Sequence, residues 1–330
     1  MQSVQAIPAH SASKAASQRT LWMFVALVVV GSIAPFVLYP TFLMKVLCFA
    51  LFACAFNLLL GFAGLLSFGH AAFFGGSAYI TGYLCRDLGW PPELGLLAGA
   101  AFGAVLGAIF GMLAIRRSGI YLTMITLGLA QLVYFVALQM GFTGGEDGMQ
   151  GIPRGKLFGL VDMSDNIAMY FFVFAVFMGG FWLVHRTIHS PFGQILKAIR
   201  DNEARATSLG YDVARYKLLA FVISASLSGL AGSMKALVFQ LASLADVHWH
   251  TSGQVVLMTL LGGLGTILGP VAGAITIVSL EDLLADKVGS WVTVIMGVIF
   301  VVCVMLFRRG VVGEISALFG KKPAAGPAGH

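Results

Sequence analysis

The sequence predicts an all-α polytopic membrane protein, a bundle of about ten passes with some helices broken at glycines. Three observations carry that expectation. Hydrophobic residues make up 58% of the 330 and charged residues only 10%, with a mean hydropathy of +0.91. Apolar runs recur along the whole chain, most of them near the ~20 residues that cross a bilayer core. The basic residues cluster at a few places between runs. A net charge of +6 would suggest nucleic acid in a soluble protein, but cytoplasmic loops carry Lys and Arg by the positive-inside rule.

Residues 1–20 are polar and rich in small residues, with Lys14 and Arg19, and read as a cytoplasmic tail. The run Leu21 to Tyr39 follows without a small-residue cleavage site, so it reads as an uncleaved first helix. Further spans fall at about 42–60, 65–85, 93–115, 119–141, 168–185 and 218–242. Two shorter runs at about 252–262 and 266–281 precede a last span at 291–307. The membrane domain is thus 21–307, and 308–330 is a second cytoplasmic tail.

Orientation follows from charge. Arg116-Arg117, the loop at 186–217 and Arg308-Arg309 are placed inside. The loop at 142–167 sets Glu146, Asp147, Asp162 and Asp165 against Arg154 and Lys156, which suits the outer side. With both termini inside, residues 252–281 must cross twice or dip in and return. Their centre, Leu261 to Pro270, can break a helix, because Gly is permissive and Pro lacks a donor. Five plus five passes of opposite orientation would make an inverted repeat, an architecture that places broken helices along the pathway. The first half has its own interruption at Gly61 to Ser77, and the second has Gly262 to Gly273.

No phosphate-binding G-x-x-x-x-G-K-[ST] loop occurs, so ATP does not bind by that route. Gly263-Leu-Gly265 with Gly269 has the wrong spacing for a dinucleotide fingerprint and lies in an apolar span. Cys48, Cys54, Cys85 and Cys303 lie in or beside apolar spans, with neither metal-ligand spacing nor a disulfide framework. No intramembrane chain of carboxylates suggests a proton relay. A membrane-embedded enzyme lacks any clustered catalytic set. Polar residues inside spans include Asn57, Ser67, His70, Thr123, Thr126 and Gln131. Such groups line pathways, or else they bond helix backbones and glue neighbouring helices. His70, in a Gly-broken segment, either faces a pathway or donates to a freed carbonyl.

The charged island Ser190 to Lys217 is helix-prone. Phe192, Ile195, Leu196, Ile199, Ala206 and Leu209 form an apolar stripe, and Lys197, Asp201 and Arg205 form an i, i+4 ladder opposite it. Glu203 falls at the edge of the stripe, where a carboxylate needs a specific partner. Gly210 is placed to cap the helix, and a second short element starts at Tyr211-Asp212. The plainer reading is an amphipathic helix on the membrane surface with a solvated charged face.

Four blocks give the chain a resemblance to the LivM-type permeases of branched-chain amino acid ABC importers: Asn57–Tyr79, Thr143–Gly148, Ser190–Ser226 and Val256–Pro270. The resemblance implies an importer-type permease of a bacterial inner membrane, whose loop at 190–217 docks on an ATPase. Glu203-Ala204 and Gly210 match the Glu-Ala-Ala…Gly signature, with Arg205 at the second Ala and Gly one residue late. The coupling residues it implies are Arg200, Asp201, Glu203, Ala204, Arg205 and Gly210. The pathway residues are Asn57, Ser67, His70, Gln131, Gly262, Gly263 and Gly265, and Thr143, Gly144 and Asp147 would meet a binding protein. Partners implied are a second related permease, two ATPase subunits carrying ATP and Mg, and a periplasmic binding protein, with no cofactor on this chain. Relatives serve branched-chain or other amino acids, urea and amides, or aromatic acids, and no block separates these. The rival from another class is a stand-alone channel or secondary carrier.

Overall fold

The computed structural model describes residues 9–157, 159 and 161–306. Arg308-Arg309, the tail at 308–330 and residues 1–8 lie outside the described residues. Helix α1 (Ala9–Val37) starts well before the expected span and takes in much of the stretch read as a tail. Pro40 then opens α2 (Pro40–Asn57) at its first turn, where a missing N–H costs nothing. Next come α3 (His70–Arg86), α4 (Pro92–Ala114), α5 (Ile120–Gln139) and α6 (Asn166–His189). The charged loop holds α7 (Pro191–Asp201) and α8 (Glu203–Ser208), followed by α9 (Val213–Phe239). After α9 the chain forms α10 (Leu244–Val247), α11 (Trp249–Gly262), α12 (Gly269–Val288) and α13 (Val292–Leu306).

Among the described residues, five helices are long and apolar enough to cross a membrane: 40–62, 92–114, 120–139, 166–189 and 213–239. The run expected at 65–85 is a shorter helix, because 64–69 is irregular and α3 begins only at His70.

The core is built around α9, which packs against α2, α3 and α4. A side of α4 carries Gly95, Gly99, Gly103, Gly107 and Gly111, four residues apart, so they fall on one face. A Cβ on Gly99 would run into Ser233, one on Gly103 would lie 2.6 Å from the Ala225 carbonyl, and one on Gly107 would run into the Ala225 Cβ. Helices meeting this closely gain van der Waals contact where the apolar surroundings supply no hydrophobic drive. Helix α1 leans on α6, with Tyr170 Oη donating to the Gly31 carbonyl at 2.7 Å.

At ~1.5 Å per residue, α9 is about 40 Å long and sets the two ends of the bundle. The charged loop lies at its start. At its far end β4 (Leu241–Ala242) pairs antiparallel with β1 (Met149–Gln150), tying the 142–167 loop to α9 and α10. In the same loop β2 (Lys156–Leu157) pairs with β3 (Val161–Asp162). The two loops read as lying on opposite sides therefore sit at opposite ends of the bundle.

Candidate functional site

Two regions where helices break are brought together beneath the charged loop. After α2 the chain widens into a π-helical turn, Leu58–Phe62, and then runs irregularly to Gly69. Between α11 and α12 it breaks again over 263–268, with Gly263 and Gly265 at positive φ (114° and 70°), a region open to glycine at no steric cost. A buried break leaves peptide groups that need partners.

The second break is held by one side chain. Asn57 accepts from the Gly265 N–H at 3.1 Å and donates to the Thr266 carbonyl at 2.8 Å, so its amide pairs with the chain as a peptide would. Thr266 Oγ1 donates to the Gly263 carbonyl at 2.7 Å and accepts the Gly269 N–H at 3.1 Å, closing the loop onto the start of α12. A Cβ on Gly262 would run into the Gly269 carbonyl, and one on Gly61 would run into Asn57 and lie 2.6 Å from the Gly265 nitrogen.

The first break is satisfied from three sides. Thr126 Oγ1 accepts the Phe68 N–H, and Thr123 Oγ1 donates to the Leu66 carbonyl at 3.2 Å. Ser252 donates to the Phe68 carbonyl and accepts the Ala71 N–H. Ser67 Oγ accepts the Gly69 N–H at 3.1 Å, just before α3. His70 is fully buried, with Nε2 at 2.9 Å from Ser224 Oγ. The Ser224 hydroxyl has one proton and donates it to the Ala55 carbonyl at 2.5 Å, so Nε2 carries the imidazole proton. Asn57, Ser67, His70, Thr123 and Thr126 thus all hold helices and breaks together. Gln131 differs: it sits half-buried on an outward groove of α5 beside Leu132 and Phe135.

The charged loop reaches this junction through α7. Ser190 caps α7 by accepting the Gly193 N–H, and Pro191 fills the first turn. Leu196 and Ile199 bury its apolar face. Arg200 Nη1 donates to the Gly61 carbonyl at 2.5 Å and lies 3.7 Å from where a Cβ on Gly265 would sit. Its stem crosses Gly64, which has φ +71° and whose Cβ would come within 2.8 Å of Arg200 Cγ. Lys197 Nζ lies over the Phe62 ring at 5.6 Å. Burial, and then the Arg200 guanidinium, lower the Lys197 ammonium below the ordinary lysine value. One side chain of the loop therefore bonds the first break and approaches the second.

Four sequence expectations for this loop are corrected. The single helix through 192–209 is two, because Asn202 takes an extended conformation (φ −160°, ψ 100°) and caps α8 by accepting the Arg205 N–H. The Lys197–Asp201–Arg205 ladder is broken at that bend, and Asp201 pairs with Arg200 at 3.1 Å instead. Leu209, expected in the buried stripe, is 71% exposed. The short element expected from Tyr211-Asp212 is instead the long α9, which Asp212 caps by accepting the Arg215 N–H.

Gly210 caps α8 as expected. It has φ +87°, and the Gly210 N–H to Thr207 and Tyr211 N–H to Ala206 bonds form a Schellman pair. Glu203 finds its partner in Lys217, at 2.7 Å, whose side chain is only 7% exposed. Ala204, Arg205 and Gly210 remain exposed beside Leu209 and Tyr211.

At the opposite end, Thr143 is buried and donates to the Ala137 carbonyl at 2.6 Å, fixing the end of α5. Gly144 and Asp147 are exposed. Next to them lie groups that the sequence pattern did not single out. Lys45 of α2 pairs with Asp282 of α12 at 2.5 Å, and Lys235 of α9 pairs with Asp246 of α10. The signal was present: Lys45, Lys235 and Asp246 are each a lone charge in or beside an otherwise apolar run, where charges mark function or pairing.

The branched-chain amino acid transport system / permease component family matches residues 38–305. The chain belongs to that family. It is 30% identical over 258 residues to the high-affinity branched-chain amino acid transport system permease protein LivM of Escherichia coli, covering 70% of this chain and 60% of that protein. It is 29% identical over 202 residues to the autoinducer 2 import system permease protein LsrC of Klebsiella pneumoniae, covering 56% of this chain and 53% of that protein. A probable branched-chain amino acid transport permease protein LivM of Methanocaldococcus jannaschii is 24% identical over 203 residues, covering 58% of this chain and 55% of that protein. The chain thus spans about three fifths of the curated LivM permease of E. coli. No solved structure gives a significant match.

Proposed function

We propose that the chain is one permease subunit of an ATP-driven ABC importer, moving branched-chain amino acids or related small polar or amphipathic solutes across a bacterial inner membrane. In this reading ten passes form a 5+5 inverted repeat with both termini cytoplasmic. A second permease completes the channel, two ATPase subunits supply ATP and Mg, and a periplasmic binding protein delivers solute near Gly144 and Asp147. The ATPases dock on the exposed face of α8, around Ala204, Arg205, Leu209 and Gly210. Asp201 and Glu203 orient that face through their pairs with Arg200 and Lys217.

The observation that carries the reading is Arg200, which belongs to the loop yet bonds Gly61 and lies against Gly265. A shift of α7 would pull on both breaks at once, and alternating access needs such a connection between a driven element and the broken helices. The pathway, on this account, opens beside Gly262, Gly263 and Gly265. Reconstitution tests the reading. The chain in liposomes should be inert alone and take up solute only with its ATPases, second permease, binding protein and ATP. Uptake by the chain alone would instead make it a stand-alone channel or secondary carrier.

A further inference from the structure

The last turn of α6, at the end of the bundle that carries the charged loop, reads His185-Arg-Thr-Ile-His189. Side chains at i and i+4 are neighbours on one helix face, and two histidines at this spacing are the pair that helical zinc sites use. We propose that His185 and His189 bind a transition-metal ion of the Zn²⁺, Ni²⁺ or Cu²⁺ type, which clamps the joint between α6 and α7.

Geometry supplies the first argument. The two rings lie with centroids 4.2 Å apart and planes inclined by 30°. Two imidazolium cations would repel at that distance, so the stack belongs to neutral rings, the form that ligates metals. His189 Nδ1 lies 2.9 Å from the His185 carbonyl. A carbonyl only accepts, so Nδ1 carries the proton and Nε2 keeps its lone pair. Metal-ligating histidines are oriented by a second bond of this kind. The His185 imidazole makes no hydrogen bond among the described residues. Its ring is held edge-to-face by Phe24 of α1, at 5.4 Å and 86°, and Phe24 packs in turn on Phe181 at 5.6 Å.

The donors select the class of metal. Residues 183–190 contain no carboxylate, so Mg²⁺ and Ca²⁺ find no anionic oxygen there. Imidazole suits Zn²⁺, Ni²⁺ and Cu²⁺, and Cu²⁺ binds most tightly. Among the described residues no group of three or more His, Cys, Asp or Glu side chains could hold a metal. The site therefore offers two protein ligands, leaves the other positions to water, and exchanges its ion with the surroundings.

The location gives binding a consequence. Ser190 Oγ donates to the Thr187 carbonyl at 2.7 Å and accepts the Gly193 N–H at 3.3 Å, so this turn of α6 holds the start of α7. A metal bridging residues 185 and 189 would keep the turn helical and fix where α7 begins.

The experiment uses the permease–ATPase complex purified without a histidine tag. The complex carrying His185→Ala and His189→Ala sets the background from other histidines and from the ATPases. Calorimetric titration with CuCl₂, NiCl₂ and ZnCl₂ should show one site per chain that the double variant lacks, tightest for Cu²⁺. MgCl₂ and CaCl₂ should give nothing beyond the background. His189→Ala alone should weaken binding on the order of 100-fold, because the second imidazole acts intramolecularly. Adding Thr187→His to His189→Ala restores two histidines at i, i+2, which do not share a face, and should not recover the affinity. Hydrogen exchange in a peptide covering 183–193 should slow with Zn²⁺ in the wild type and not in the double variant.

Equal binding by the wild type and the double variant, or recovery by Thr187→His, would overturn the site. Binding without slower exchange over 183–193 would overturn the clamp. None of these readouts depends on transport, so the proposal stands or falls apart from the importer reading.

Discussion

The two breaks serve the same bundle but are held in different ways. The first, from Gly61 to Gly69, is bonded by Thr123 and Thr126 of α5 and by Ser252 of α11, so its peptide groups are fixed from several helices. The second, over 263–268, depends on Asn57 and on its own Thr266. On the proposed function, the many-sided segment would act as a frame and the singly held one as a hinge. Asn57 and Arg200 are where frame, hinge and charged loop meet. A bundle with two equally rigid breaks could not rock, and one with two loose breaks would not hold its shape in the membrane.

The predictions test that difference. The largest effect should come from Gly262→Ala, since the new Cβ would meet the Gly269 carbonyl, a backbone atom that cannot step aside. Overpacking of this kind costs about 1–3 kcal/mol and occasionally more. The expected outcome is little monodisperse complex on size-exclusion chromatography, and normal yield would show that the hinge tolerates bulk. Asn57→Ala comes next. It strips a part-buried donor and a part-buried acceptor of their partner, each bond worth about 0.5–1.5 kcal/mol, and the apparent Tm of the assembled complex should fall by a few degrees.

Thr123→Val should cost less than Asn57→Ala, on the order of 1 kcal/mol, because one bond of several in the frame is lost. A Tm drop equal to that of Asn57→Ala would erase the distinction between frame and hinge. Glu203→Gln leaves the nearly buried Lys217 without its anion, at a cost of about 1–2 kcal/mol after allowing for the half-exposed partner. Adding Lys217→Met should recover most of that stability, measured by thermal unfolding of the complex, and failure to recover it would show that Glu203 acts elsewhere.

Much of this was legible in the sequence because its signals are local. Apolar run length places α2, α4, α5 and α6 within a few residues, and the cap at Gly210 follows from one residue type after a helical stripe. Both breaks are visible as glycine clusters. The rest depends on partners far away in the chain. Asn57 reads as a polar residue in an apolar run until Gly265 and Thr266 are seen folded against it. The bend at Asn202 was hidden because an i, i+4 charge ladder fits an unbroken helix equally well, and only the extended backbone of Asn202 decides against it. Lys45 and Asp282 are 237 residues apart, so no periodicity could pair them.

The central claim is that the loop drives the hinge through Arg200. Hydrogen exchange tests it most directly, followed in peptides covering 58–69 and 262–269 of the complete importer with and without ATP. In the wild type both peptides should change protection together on nucleotide binding, with the larger change over 262–269. In Arg200→Gln, ATP should still bind and both peptides should stay as they were without it. An unaltered response in Arg200→Gln would contradict the account and place the connection elsewhere.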